Sequence, residues 1–253
     1  MTRAAHPLSS AVTRFQTSRF EAGLLAAALM VLVLWPRASL AEDFVLGVRV
    51  DFATGVGPCA VAVGDLNGDD RPDLVVTNVY ANTVSVLLGD GAGGFGMKAD
   101  FETGAMPASV AIGDLNGDGR PDLAVANLNS NTVSVLVGDG AGRFGARTDF
   151  ATGNSPRAVA IGDLNGDGRP DLAVVNIYAN TASVFLGDGT GGFGAKTDYA
   201  TGAAPNSVVI GDLNGDGRLD LAVANRDAST VSVLPGDGQG GFGARADFAS
   251  GPV

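Results

Sequence analysis

Cysteine and histidine are almost missing from these 253 residues, with one of each, Cys59 and His6. A single cysteine cannot form an intrachain disulfide. A single histidine near the start leaves no Cys/His zinc site and no Ser-His-Asp triad in the body of the chain. Aromatic residues make up only 6%, which argues against a large helical core. Basic residues are scarce too, 16 against 27 acidic, for a net charge of -11. A phosphate-binding surface needs a basic stripe, so nucleic acid is excluded as the expected partner. Glycine is abundant instead, at 38 residues, about twice its usual share. That composition suits many short elements joined by tight turns.

The first 41 residues differ from the rest. Arg3, Arg14 and Arg19 precede a 13-residue apolar run, Gly23 to Trp35, followed by small residues at Ser39 and Ala41. A basic start, a short apolar stretch and a small-residue cut make a secretory signal peptide, residues 1–41. The run is too short for a membrane span, which takes about 20 residues. An uncleaved anchor is the other reading of the same residues. With cleavage, the chain carries 12 basic and 26 acidic residues, net -14, and no histidine. The expected protein is secreted, with no membrane span.

Residues 42–253 read as one domain written four times. GDLNGD starts at Gly64, Gly113, Gly162 and Gly211, a period of 49 residues. Such a period points to a propeller, solenoid or array. Each unit holds four short Val-rich runs bounded by turn residues. In the second unit these are 108–113, 123–127, 132–138 and 146–150. Four strands per unit predict antiparallel hairpins. The first two runs are apolar throughout, so both of their faces are expected to be covered, as in a propeller blade. The fold class is therefore all-β, a propeller-like array of four four-stranded blades, as a small ring or an open partial propeller. An open arc leaves unpaired edges, which self-association would cover. Residues 46–55 match a fourth strand and so precede the first full unit by one strand.

The chemical signal is the loop after the first strand of each unit. Its copies are DLNGDDRPD (65–73), DLNGDGRPD (114–122), DLNGDGRPD (163–171) and DLNGDGRLD (212–220). Side-chain oxygens stand at positions 1, 3, 5 and 9. These are Asp65, Asn67, Asp69 and Asp73; Asp114, Asn116, Asp118 and Asp122; Asp163, Asn165, Asp167 and Asp171; and Asp212, Asn214, Asp216 and Asp220. Calcium takes six to eight hard oxygen ligands, backbone carbonyls among them. Alternate positions in a tight loop aim side chains at one centre, and the arginine at position 7 would add its carbonyl. About four Ca²⁺ sites are expected. Metal-free Asx turns are the other arrangement of the same residues. Three carboxylates then crowd one loop, repelling by about 1 kcal/mol or more per pair. Asp70 replaces the glycine at position 6, where a positive φ is expected, so the first site should be the weakest.

The first half of the loop resembles an EF-hand calcium loop, but position 12 holds Val76, Val125, Val174 and Val223 instead of glutamate. The loop D-x-N-x-D-G-x-x-D, the Phe-Gly pairs (Phe95-Gly96, Phe193-Gly194, Phe242-Gly243) and the following Thr-Gly-x-x-Pro (Thr103 to Pro107 and its counterparts) together resemble the FG-GAP, or VCBS-type, repeats. The resemblance spans roughly residues 46 to 250. It implies a β-propeller with calcium in the loop between the first two strands of each blade. It also implies that the sixteen residues above are the ligands. Propellers of the family usually have seven blades, so four blades make a small ring, a partial arc or a fragment of a larger propeller.

Other motifs carry less. GDGAGG (89–94), GDGTGG (187–192) and GDGQGG (236–241) fit a dinucleotide fingerprint, but a strand, not a helix, is expected to follow. Asn78, Asn127, Asn176 and Asn225 are expected to cap hairpins. Cys59 is expected to be a small buried hydrophobe. The units differ at Tyr80, Asn129, Tyr178 and Asp227 and at the pairs 105–106, 154–155 and 203–204, and these form no catalytic set. The expected function is a secreted calcium-binding interaction or adhesion module for a protein or glycan, without catalysis. The alternatives are a secreted lyase or hydrolase on the same scaffold, or a structural fragment.

Overall fold

The computed structural model describes residues 49–251, and the signal-peptide expectation at 1–41 lies outside them. From Val50 onward the chain forms one compact unit. It contains sixteen strands in four sheets. Blade 1 holds β1 (Pro58–Gly64), β2 (Asp73–Asn78), β3 (Thr83–Leu87) and β4 (Ala99–Glu102). Blade 2 holds β5 (Pro107–Gly113), β6 (Asp122–Asn127), β7 (Thr132–Leu136) and β8 (Thr148–Ala151). Blade 3 holds β9 (Pro156–Gly162), β10 (Asp171–Asn176), β11 (Thr181–Phe185) and β12 (Thr197–Ala200). Blade 4 holds β13 (Pro205–Gly211), β14 (Asp220–Asn225), β15 (Thr230–Leu234) and β16 (Ala246–Ala249).

Every sheet is an antiparallel meander in sequence order. The register repeats from blade to blade. Val75 pairs with Ala62 and Val86, and Ala124 pairs with Ala111 and Val135. The middle strands are Val-rich and apolar at both faces because both faces are covered. In blades 2 and 3 the second strand is buried along its whole length. The expected strand positions hold, with the fourth strand of blade 2 starting at Thr148 and the third ending at Leu136.

The core lies between sheets, in three slabs. One joins Leu66, Val75, Val84 and Val86 of blade 1 to Leu123, Val125 and Leu136 of blade 2. The same positions, 49 residues on, make the slab between blades 2 and 3, and again between blades 3 and 4. The first strands β1, β5, β9 and β13 are successive neighbours. Among the described residues nothing covers the outer faces of blades 1 and 4, where Val61, Val63, Val209 and Leu213 are exposed, so the described array is open. Cys59 corrects the sequence expectation: it is exposed, with its Sγ 3.9 Å from the Ala108 carbonyl oxygen and 3.9 Å from the Arg157 guanidinium.

Two further devices lock blades together. Phe101, Phe150 and Tyr199 on the fourth strands meet Phe144, Phe193 and Phe242 of the next blade edge-on, with centroids 5.2–5.4 Å apart. The side-chain amide oxygens of Asn82, Asn131 and Asn180 accept the backbone N–H of Met106, Ser155 and Ala204 in the next blade.

Candidate calcium loops and the blade latch

The loop between the first and second strands folds around its first aspartate. Asp65 Oδ1 accepts backbone N–H groups from Asn67, Gly68 and Asp69 at 3.2, 2.8 and 3.2 Å. Its Oδ2 accepts the N–H of Asp70 at 2.8 Å. Asp114, Asp163 and Asp212 collect the equivalent bonds. Backbone donation, from residue 70 in blade 1 and Gly217 in blade 4 foremost, holds the Asp65 and Asp212 carboxyls below the ordinary aspartate range. The turn needs a positive φ at position 6, and glycine supplies it at 79–82° in blades 2 to 4. Asp70 adopts φ 61° in blade 1, as expected from its place in the loop.

Positions 3 and 5 are linked to one another. Asn67 Nδ2 donates to Asp69 Oδ2 at 3.1 Å, and Asp69 Oδ1 accepts the N–H of Arg71 at 2.9 Å. The pattern recurs in blades 2 and 3. Position 9 behaves differently. Asp73, Asp122, Asp171 and Asp220 are buried. Asp122 Oδ2 accepts the N–H of Leu115 at 2.8 Å, and Oδ1 accepts that of Gly138 at 2.7 Å. One carboxylate thus ties the start of the loop to the exit of the third strand. Burial pushes the Asp122 and Asp171 carboxyls above the ordinary range. The two N–H donors oppose that shift. The charges of Asp118 and Asp114, and of Asp167 and Asp163, add to it.

Positions 1, 3 and 5 stand on the exposed turn, and position 9 is a buried hub whose carboxylate also feels the charges at positions 1 and 5. Among the described residues, no three His, Cys, Asp or Glu side chains converge as a group able to hold a metal ion. The donor chemistry, oxygen only, is of the kind calcium takes.

Several features escaped the sequence reading. The arginine at position 7 lies over the neighbouring turn. A Cβ at Gly91 would meet Arg71 Cδ at 3.1 Å, and Gly140, Gly189 and Gly238 face Arg120, Arg169 and Arg218 in the same way. Asp90 Oδ1 accepts the N–H of Ala92 and Gly94 at 2.7 and 2.9 Å, and Gly89 bridges to Phe95. The glycine-rich motif is therefore a turn leading to a strand, and the dinucleotide reading is closed. A polar latch crosses each blade. Asn127 Nδ2 donates to Thr132 Oγ1 at 3.1 Å and Ser134 Oγ at 2.7 Å, and Ser134 donates to Asp149 at 2.6 Å. Arg147 completes it on Asp149 at 3.0 Å. The asparagine thus secures the hairpin and is buried. A Cβ on Gly104 would come within 2.7 Å of the Asn127 amide, which explains the glycine of Thr-Gly-x-x-Pro. Recurrence of Ser85 and Asp100 at the 49-residue period was the signal available for this latch.

A family model described as FG-GAP-like repeat matches residues 65–125, 114–174 and 163–223, together more than half of the chain. The chain belongs to the FG-GAP-like repeat family. No curated protein sequence matches this FG-GAP-like chain. Among solved structures it is similar to an Agrocybe aegerita lectin described as recognising non-reducing terminal N-acetylglucosamine. That match has a TM-score of 0.54 and 22% identity over 73% of this chain and 50% of the lectin. A streptogramin B lyase aligns with a TM-score of 0.55 and 16% identity, over 77% of this chain and 55% of that one. A virginiamycin B lyase from Staphylococcus aureus gives 0.53 and 15%, over 77% and 56%. The FG-GAP-like chain spans about half the length of these proteins, and the likeness is one of fold.

Proposed function

We propose that this FG-GAP-like chain is a secreted binding module for a protein or glycan, not an enzyme, with Ca²⁺ stabilising its four D-x-N-x-D-x-x-x-D loops. The observation that carries the calcium reading is the crowding of negative charge in each loop. Each loop gathers three aspartates and one asparagine at positions 1, 3, 5 and 9, with Asp70 a further aspartate in the first, and the carboxylates at positions 1 and 5 add to the burial that pushes Asp122 and Asp171 toward the protonated form. A bound dication removes that penalty, and four would bring the net charge of residues 42–253 from -14 to -6. Asp65, Asn67, Asp69, the Arg71 carbonyl and Asp73, with their counterparts, would hold the ion.

The ligand-facing end is proposed from what varies. The hairpins between second and third strands carry Tyr80 and Tyr178, 75% and 72% exposed, with Asn129 and the Arg226–Asp227 pair in the other blades. Exposed aromatic rings with polar neighbours suit a stacking contact to sugar or peptide. No set of nucleophile, base and oxyanion donor accompanies them among these positions, which supports binding over turnover.

Melting of the chain in saturating calcium and in excess chelator tests the ion. An ion that binds only the folded loop adds about 2.7 kcal/mol per site at a hundredfold excess over its dissociation constant. A marked upward shift of Tm with calcium is expected, and superimposable curves would end the calcium reading.

A further inference from the structure

Every internal junction buries the same two faces. The tail face of one blade offers the leucine after its first strand and the valines of its third strand. The head face of the next offers alternate valines and isoleucines of its first strand. The leucines Leu66, Leu115 and Leu164 are 1–2% exposed at these junctions, and Val159 and Val208 opposite are 7% exposed. At the two ends the faces persist without a neighbouring blade among the described residues. Leu213, the fourth leucine, is 52% exposed, beside Val209 and Phe248, also exposed. Val61 and Val63, the first-blade counterparts of Val159 and Ile161, are 61% and 63% exposed. The uncovered head and the uncovered tail are therefore the two halves of an interface that this chain already makes three times.

We propose that a second copy of this chain docks head to tail on these faces, with Val61 and Val63 of each copy seated on Val209, Leu213 and Val233 of the other. Head and tail differ, so the contact is heterologous, and two such contacts close a pair. The similar solved structures carry about as much fold again beyond the part this chain matches, which is the room a second copy fills. One seat is already taken. Phe52 meets Phe95 edge-on with centroids 5.1 Å apart, the place that Phe101 holds against Phe144. In the pair, Phe52 keeps that seat, and the valine and leucine contacts carry the junction.

Light scattering with mass determination on the purified chain, with calcium and with chelator, tests this. The expected mass is twice that of one chain. Leu213→Asp and Val61→Asp each return the single-chain mass, with the strand signal in circular dichroism unchanged because both sites are exposed within one copy. An equal mixture of the two variants regains a two-copy species, because one intact head and one intact tail remain. A parent chain that stays at single-chain mass in both conditions, open-ended polymers, or no recovery on mixing would overturn the proposal. The calcium reading is judged separately by the melting shift, so either can fail alone.

Discussion

Replacing Asp122 with alanine separates its structural duty from ion binding. The residue is buried and accepts two backbone N–H groups, from Leu115 and Gly138. Both donors lie in buried backbone, and alanine offers neither an acceptor. Each stranded donor costs about 1–3 kcal/mol, so Asp122→Ala should lose about 2–6 kcal/mol. Asp122→Asn keeps one acceptor oxygen and turns its amide NH₂ toward the other donor, so about half that loss is expected. Both losses should appear in excess chelator, where no ion contributes. Thermal or urea unfolding followed by circular dichroism reads them. The exposed Asp118→Ala serves as the contrast, losing little in chelator and most of the calcium-induced rise in its own loop. An Asp122→Ala protein within about 0.5 kcal/mol of the parent in chelator would refute the hub, since it would mean that Leu115 and Gly138 find acceptors elsewhere.

Other outcomes follow from the repeat. In dilute protein, Leu115→Ala should cost about 3–5 kcal/mol and Leu213→Ala under about 1, because only the former leaves a cavity between blades; equal losses in unfolding experiments would count against an open array. Asp70→Gly should gain about 0.5–1 kcal/mol by relieving the left-handed backbone, since its N–H bond to Asp65 remains, and should tighten the first calcium site in a titration; a loss of stability would contradict it. The Asp139 carboxyl is held below its ordinary range by the N–H groups of Ala141 and Arg143. A lowered folded pKa gives stability that is present above the unfolded value and lost as pH falls through the folded one. Asp139→Asn should therefore melt below the parent at pH 6, with the gap closing once pH drops under about 3.9; a gap that persists in acid would exclude the carboxylate as its source.

The amino-acid sequence by itself determined the strands, the repeat and the loops. Turn residues and Val-rich runs act within a few positions, and a 49-residue period repeats each local decision four times. Position 6 of the acidic loop could be read as left-handed before any coordinates, because only backbone sterics are involved. Tertiary structure decided what lies opposite what. Leu66 and Leu213 occupy the same motif, yet one is buried and the other half exposed, since only the first has a blade beside it. Asp73 looks like its loop partners in sequence, but its carboxylate also accepts the N–H groups of Leu66 and Gly89, and Gly89 lies sixteen residues away. Such pairings follow from the packing of sheets and turns across the blade, and no local preference of the chain encodes them.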